Sequence, residues 1–69
     1  MKFREFLTIL RDHGFDLVRQ EGSHRIYRGT VAGEIRQVVV ACHRDSDDIR
    51  PGTLSSMIRQ SGLSKTLFR

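Results

Sequence analysis

His24 is the residue of this chain best placed to do chemistry. It lies in the stretch Gly-Ser-His-Arg, with Arg19 before it and Arg28 after it. An imidazole can take or give a proton near neutral pH, and an arginine guanidinium binds phosphate oxygens through paired hydrogen bonds. A second histidine, His43, follows a valine-rich stretch and could act as a second acid or base. These residue types suit a phosphodiester substrate, whereas on composition and spacing alone a strand histidine among arginines is usually only a surface residue.

The composition favours a small basic protein. The 69 residues carry a net charge of +4 with neutral histidines, which favours a nucleic acid or an acidic protein as partner. The single cysteine, Cys42, has no disulfide partner and is expected to be a buried thiol in a reducing compartment. No apolar run approaches the ~20 residues of a membrane span, and no signal peptide is visible. We expect a cytoplasmic protein without membrane contact.

Apolar spacing predicts a helix at each end of the chain. In "KFREFLTILRDHG" the apolar residues recur at i, i+3, i+4 and i+7, on one face: Phe3, Phe6, Leu7 and Leu10. His13, before the stop signal Gly14, fits the negative end of the helix dipole. "RPGTLSSMIRQSG" predicts a second helix from Pro51 to a stop at Gly62, with an inward stripe of Leu54, Met57 and Ile58. The tail residues Leu67 and Phe68 are candidates to dock on the core.

Three strands are predicted between the helices. "FDLVRQEG" and "SHRIYRG" each end at a glycine, "EIRQVVVAC" is β-branched, and "GTVAG" reads as a hairpin loop. The order α-β-β-β-α predicts an α+β fold, in which a three-stranded antiparallel sheet carries both helices on one face and leaves the other face open.

The strand register decides whether His24 is accessible. Side chains alternate along a strand, so His24, Ile26 and Arg28 share one side, while Ser23, Arg25 and Tyr27 share the other. If Tyr27 faces the helices, His24 points outward. Ile26 is an equally plausible core residue, however, and a bulge at Gly22 would reverse the parity.

Three stretches together resemble the HicA family of messenger-RNA-cleaving toxins: "LVRQEGSHRIYR", "VVVACH" and "RPGTLSSMIRQSGL". The resemblance runs from the first helix to Leu63 and implies a single HicA-like domain over residues 1–69. It implies a fold like the double-stranded-RNA-binding domain, RNA cleavage by the histidine of the Gly-Ser-His motif, here His24, and inhibition by a HicB antitoxin. The chain departs from the family where Ala41 replaces a common proline, before an unusually acidic loop.

On this basis we expect a ribonuclease that needs no cofactor and that binds messenger RNA on the open sheet face. The candidate RNA-binding residues are Arg19, Ser23, Arg25 and Arg28. His43 is a candidate second acid or base, although it could equally anchor its loop or contact the antitoxin. The 2′-hydroxyl of the RNA would be the nucleophile, which gives a 2′,3′-cyclic phosphate and a 5′-hydroxyl.

Three alternative interpretations compete with this one. A metal site could use ligands from "CHRDSDD" (Cys42, His43, Asp45, Asp47 and Asp48), but the spacing matches no established calcium or zinc pattern, and a solvated loop that favours the next helix N-terminus is expected. A non-catalytic module for double-stranded RNA usually carries lysines where the second helix begins, and "IRPGTLSSMIR" has none. An interaction subunit for an acidic partner would leave the Gly-Ser-His stretch without a purpose.

Overall fold

Two helices lie on the same side of a three-stranded antiparallel sheet in the computed structural model, which describes residues 1–69. The elements are α1 (Phe3–Asp12), β1 (Asp16–Glu21), β2 (His24–Val31), β3 (Glu34–Ala41) and α2 (Pro51–Ser61), followed by a 3₁₀ turn (Lys65–Phe68). The sheet order is β1-β2-β3. The predicted α-β-β-β-α order and α+β class are confirmed.

The core lies between the helices and one face of the sheet. The predicted stripe of α1 is buried in full, and it shares one apolar cluster with Tyr27 of β2, with Val38 and Val40 of β3, and with Met57 of α2. The tail docks through Phe68, whose ring stacks on Phe6 at a centroid distance of 5.0 Å. Leu67 remains exposed. No helix of the chain is both long and apolar enough for a membrane crossing.

Both hairpins turn in two residues. Glu21 pairs with His24 across the turn Gly22-Ser23, and Gly22 adopts φ 58°. Positive φ at the first central residue alone is the pattern of a type II′ turn. The β2–β3 turn has positive φ at both Ala32 (52°) and Gly33 (81°), the pattern of type I′. Both turn types match the right-handed twist of the strands that they join.

The predicted five-residue loop "GTVAG" is wrong, because β2 continues through Gly29 to Val31. Gly29 faces the core beneath Phe15, where a Cβ atom would lie 2.8 Å from the ring. The glycine therefore permits close packing inside a strand and does not end it.

The two edges of the sheet differ. At the β3 edge, the Val39 N–H donates to the Gln60 side-chain oxygen of α2 at 3.0 Å. At the β1 edge, every residue of the strand is exposed, and the pairing with β2 is interrupted by a bulge between Leu17 and Arg19. The bulge is therefore in β1 and not at Gly22, and His24 keeps the parity set by Tyr27.

Candidate functional site

The open face is the side of the sheet that points away from the helices. Alternation along the strands assigns it because Tyr27 and Val38 are buried on the other side. Its members are Asp16, Arg19 and Glu21 in β1, His24, Ile26, Arg28 and Thr30 in β2, and Ile35, Gln37, Val39 and Ala41 in β3.

His24 is exposed at the start of the central strand. Its cross-strand neighbours are Glu21 in β1 and Ala41 in β3. Because Ala41 ends at its β-carbon, no large side chain covers the imidazole from the β3 side. The prediction that His24 points outward is confirmed, and a ligand on the open face can approach it.

Two of the predicted RNA-binding arginines share the open face with His24. Arg19 lies opposite Ile26 and forms an ion pair with Glu21. Arg28 donates to the Gln37 side-chain oxygen at 3.3 Å. Neither guanidinium is buried, so each can exchange its present partner for a phosphate at little cost.

The predicted placement of Arg25 beside these two arginines is wrong. Arg25 pairs with Val40 on the helix-facing side of β2, where alternation must place the residue after His24. Its guanidinium donates to the Asp45 carboxylate at 2.8 Å, and this hydrogen bond raises the pKa of Arg25 above its ordinary value. Arg25 is therefore committed to an ion pair within the protein.

Ser23 and His43 come from the two segments that meet beside His24. Ser23 is half-buried in the β1–β2 turn, and its carbonyl accepts from the Cys42 N–H at 2.9 Å. This hydrogen bond ties the turn before His24 to the residue before His43. His43 is exposed just beyond the end of β3. The fold thus brings both histidines to the same end of the sheet.

A shallow cavity of about 390 Å³ adjoins His43. Its lining includes Ala41, Arg50 and Thr53, together with the carboxylate residues Asp47 and Asp48. Arg50 precedes α2 as its N-cap residue. Sequence reasoning missed Arg50, although its position directly before Pro51 at a predicted helix start was visible.

The acidic residues of segment 42–50 are held in ion pairs. Asp45 pairs with Arg25, Asp47 with Arg44, and Asp48 with Lys2. The carbonyls of Asp45 and Asp47 accept from the first N–H groups of α1. The start of α2 has no side-chain cap hydrogen bond, so the hydrogen bonds of this segment to a helix start are the main-chain ones to α1. No three His, Cys, Asp or Glu side chains of the chain converge as a metal site.

Cys42 is buried as predicted, with 2% of its surface exposed. Burial raises the pKa of its thiol, and the sulfur lies 3.7 Å from the Asp45 carboxylate. The thiol is therefore a weak hydrogen-bond donor within the core. His13 also has the expected capping place, with Nδ1 2.8 Å from the Ile9 carbonyl oxygen at the end of α1.

A sheet backed by two helices, with an uncovered histidine at one end of its open face, defines a small α+β protein with a surface site. The family model described as "HicA toxin of bacterial toxin-antitoxin" matches residues 3–63. The chain belongs to the HicA toxin family, and it is therefore the toxin of a toxin-antitoxin pair, with an antitoxin as its partner. No curated protein matches the chain closely enough to be counted as a relative.

Proposed function

We propose that this toxin is an endoribonuclease that cleaves messenger RNA on the open face without a metal, with His24 as general acid or base. The observation that carries the proposal is the exposure of His24 opposite Ala41, at the end of the sheet to which His43 also belongs. A positioned imidazole typically contributes ~10²–10⁴-fold to a proton-transfer step. His43 is the candidate for the complementary proton transfer.

The rest of the open face supports RNA as the substrate. Arg19 of β1 and Arg28 of the central strand can bind successive phosphates. Ile26 lies opposite Arg19, pairs with Val39 of β3, and offers with it an apolar surface to a base. The 2′-hydroxyl of the RNA attacks the adjacent phosphorus as one group removes its proton, and a second group protonates the departing 5′-oxygen. The products are a 2′,3′-cyclic phosphate and a 5′-hydroxyl.

The same exposure supports a proposal for inhibition. A HicB-like antitoxin would silence the toxin most directly by covering His24 and by offering carboxylates to Arg19 and Arg28. Because the toxin carries a net charge of +4, an antitoxin with a net negative charge would also associate with it faster.

His24→Ala tests the proposal, and His13→Ala is its matched control, because both remove an exposed imidazole. We expect His24→Ala to lower single-turnover cleavage of RNA by ~10²–10⁴-fold and to change stability by about 0.5 kcal/mol. His13→Ala should leave cleavage unchanged. Cleavage by wild type should persist in a chelator, and DNA of the same sequence should stay intact.

Unchanged cleavage by His24→Ala would contradict the catalytic assignment. If the wild-type protein bound RNA duplexes but cleaved no RNA, it would be a non-catalytic module for double-stranded RNA and not a ribonuclease. Activity that disappears in the chelator and returns with magnesium would contradict the metal-free mechanism.

A further inference from the structure

Arg25 connects the two halves of the candidate site from behind the sheet. It follows His24 directly, and its guanidinium donates to Asp45 at 2.8 Å on the helix-facing side. Only 21% of its side chain is exposed, and its Nε is buried without a hydrogen-bond partner. A guanidinium held in this way cannot turn to the open face without breaking the Asp45 contact.

Asp45 joins three elements of the fold. One of its carboxylate oxygens accepts from Arg25 of β2 and lies 3.7 Å from the thiol of Cys42, just beyond β3. Its main-chain carbonyl accepts from the Arg4 N–H at the start of α1 at 2.9 Å. His43 lies between Cys42 and Asp45 in the chain, so both of its flanks are fixed by these contacts.

This ion pair contributes little to the free energy of folding, and its main effect is to fix the position of the loop that contains Asp45. Half of the Asp45 side chain is exposed, and ion pairs at that exposure contribute little to folding. The unpartnered Nε–H carries a desolvation cost. A hydrophobic residue would fill the same space without that cost, but it would not hold the loop at a fixed point.

We propose that Arg25 is a positioning residue, which through Asp45 fixes the loop that carries His43 against the strand that carries His24. This role rests on the proposed ribonuclease function, in which both imidazoles act on one phosphodiester. It assigns to Arg25 no direct contact with RNA.

The test compares Arg25→Met with Arg44→Met. Arg44 is the matched control because it lies in the loop that carries His43 and has the same charge as Arg25, but its side chain is 80% exposed in a pair with Asp47. We expect Arg25→Met to lower the single-turnover rate by roughly 10- to 100-fold with KM nearly unchanged, since small displacements of reacting groups cost rate more than binding. Arg44→Met should keep the wild-type rate.

Two further variants separate positioning from charge. Asp45→Asn should reproduce the loss of rate, and the Arg25→Met/Asp45→Asn double variant should lose no more than either single variant, because both act through one contact. Arg25→Lys should recover part of the rate, since an ammonium keeps the charge without the fork geometry. Melting curves identify any variant that fails to fold. If Arg25→Met does not fold, the rates of Asp45→Asn and Arg25→Lys decide the test.

Amide hydrogen exchange measures the same contact without any RNA. In Arg25→Met the amides of Arg4 and Cys42 should exchange faster than in wild type, because their acceptors belong to the segments that Arg25 holds together. In Arg44→Met they should not change.

A rise in KM with an unchanged rate in Arg25→Met would show that Arg25 binds phosphate and would overturn the proposal. Wild-type rate and wild-type exchange in that variant would overturn it as well. If the wild-type protein fails to cleave RNA, the ribonuclease proposal fails by itself, and exchange at Arg4 and Cys42 still decides whether Arg25 holds the loop.

Discussion

Glycine-to-alanine substitutions in the two hairpin turns can separate an effect on stability from an effect on the geometry around His24. Gly22 and Gly33 each occupy a two-residue hairpin turn with positive φ, 58° and 81° respectively. A Cβ added at either glycine would meet no atom within 4 Å. Substitution by alanine therefore adds backbone strain at both positions and a steric clash at neither.

The expected cost of alanine is at least as large at Gly22 as at Gly33. Left-handed backbone, as at Gly33, costs a non-glycine residue about 1–2 kcal/mol, and the first position of a type II′ turn is a region that only glycine adopts readily. Since a domain of this size loses about 4–8 °C in Tm for each kcal/mol, Gly33→Ala should lower the Tm by roughly 4–16 °C and Gly22→Ala by at least as much. Only Gly22 precedes His24, so only Gly22→Ala should also reduce cleavage, by about tenfold or more if His24 moves by a fraction of an ångström.

The measurement is thermal unfolding together with single-turnover cleavage, performed well below the lower Tm. Equal loss of cleavage in the two variants would refute the assignment of the site to the Gly22 end of the sheet. An unchanged Tm in Gly22→Ala would refute the turn geometry instead.

Two further predictions concern positions behind or away from the site. Ala32→Asn should raise the free energy of unfolding by about 0.5–1 kcal/mol, because asparagine tolerates the φ of 52° at Ala32 and Asn-Gly is the preferred type I′ pair; a lower urea midpoint would contradict this. Burial raises the pKa of the Cys42 thiol, so the folded state keeps this proton longer than the unfolded state does. The resulting stability is full below the ordinary thiol pKa of about 8.5 and falls as the pH rises through the folded value. Urea midpoints from pH 7 to pH 10 should show this decline in wild type but not in Cys42→Ala, and parallel profiles would contradict it.

The helices and the sheet order were predictable because their signals are local. The stripe of α1 has a clear helical period, and all of its predicted members are buried. Strand parity was left open by the sequence, because Tyr27 and Ile26 were both plausible core residues; the structure buries Tyr27 and leaves Ile26 half-buried on the open face. What the pattern could not exclude was a bulge, and the structure has one in β1.

The sequence-based predictions failed mainly where a residue contacts a partner that is distant in the sequence. Gly29 is a residue type typical of turns, but it packs closely beneath Phe15 in the core and lies within β2. Arg25 was grouped with Arg19 and Arg28 by charge although alternation already placed it on the other face, and only its contact with Asp45, twenty residues away, was beyond the sequence pattern. The acidic loop also accepts main-chain hydrogen bonds from the first helix of the chain, which its sequence did not indicate. Contacts of this kind depend on the folded path and leave no local period.

The hydrogen bond from the Val39 N–H to the Gln60 side chain affects whether the sheet can add strands from other molecules. A sheet with one bare face and exposed Ile35 and Val39 could grow sideways by adding strands from other molecules. At the β3 edge, one of the amides that a new strand would need is already bound by a side chain of α2. At the β1 edge, the bulge breaks the regular spacing of donors and acceptors. The two edges disfavour the addition of further strands by different means, although the open face stays uncovered.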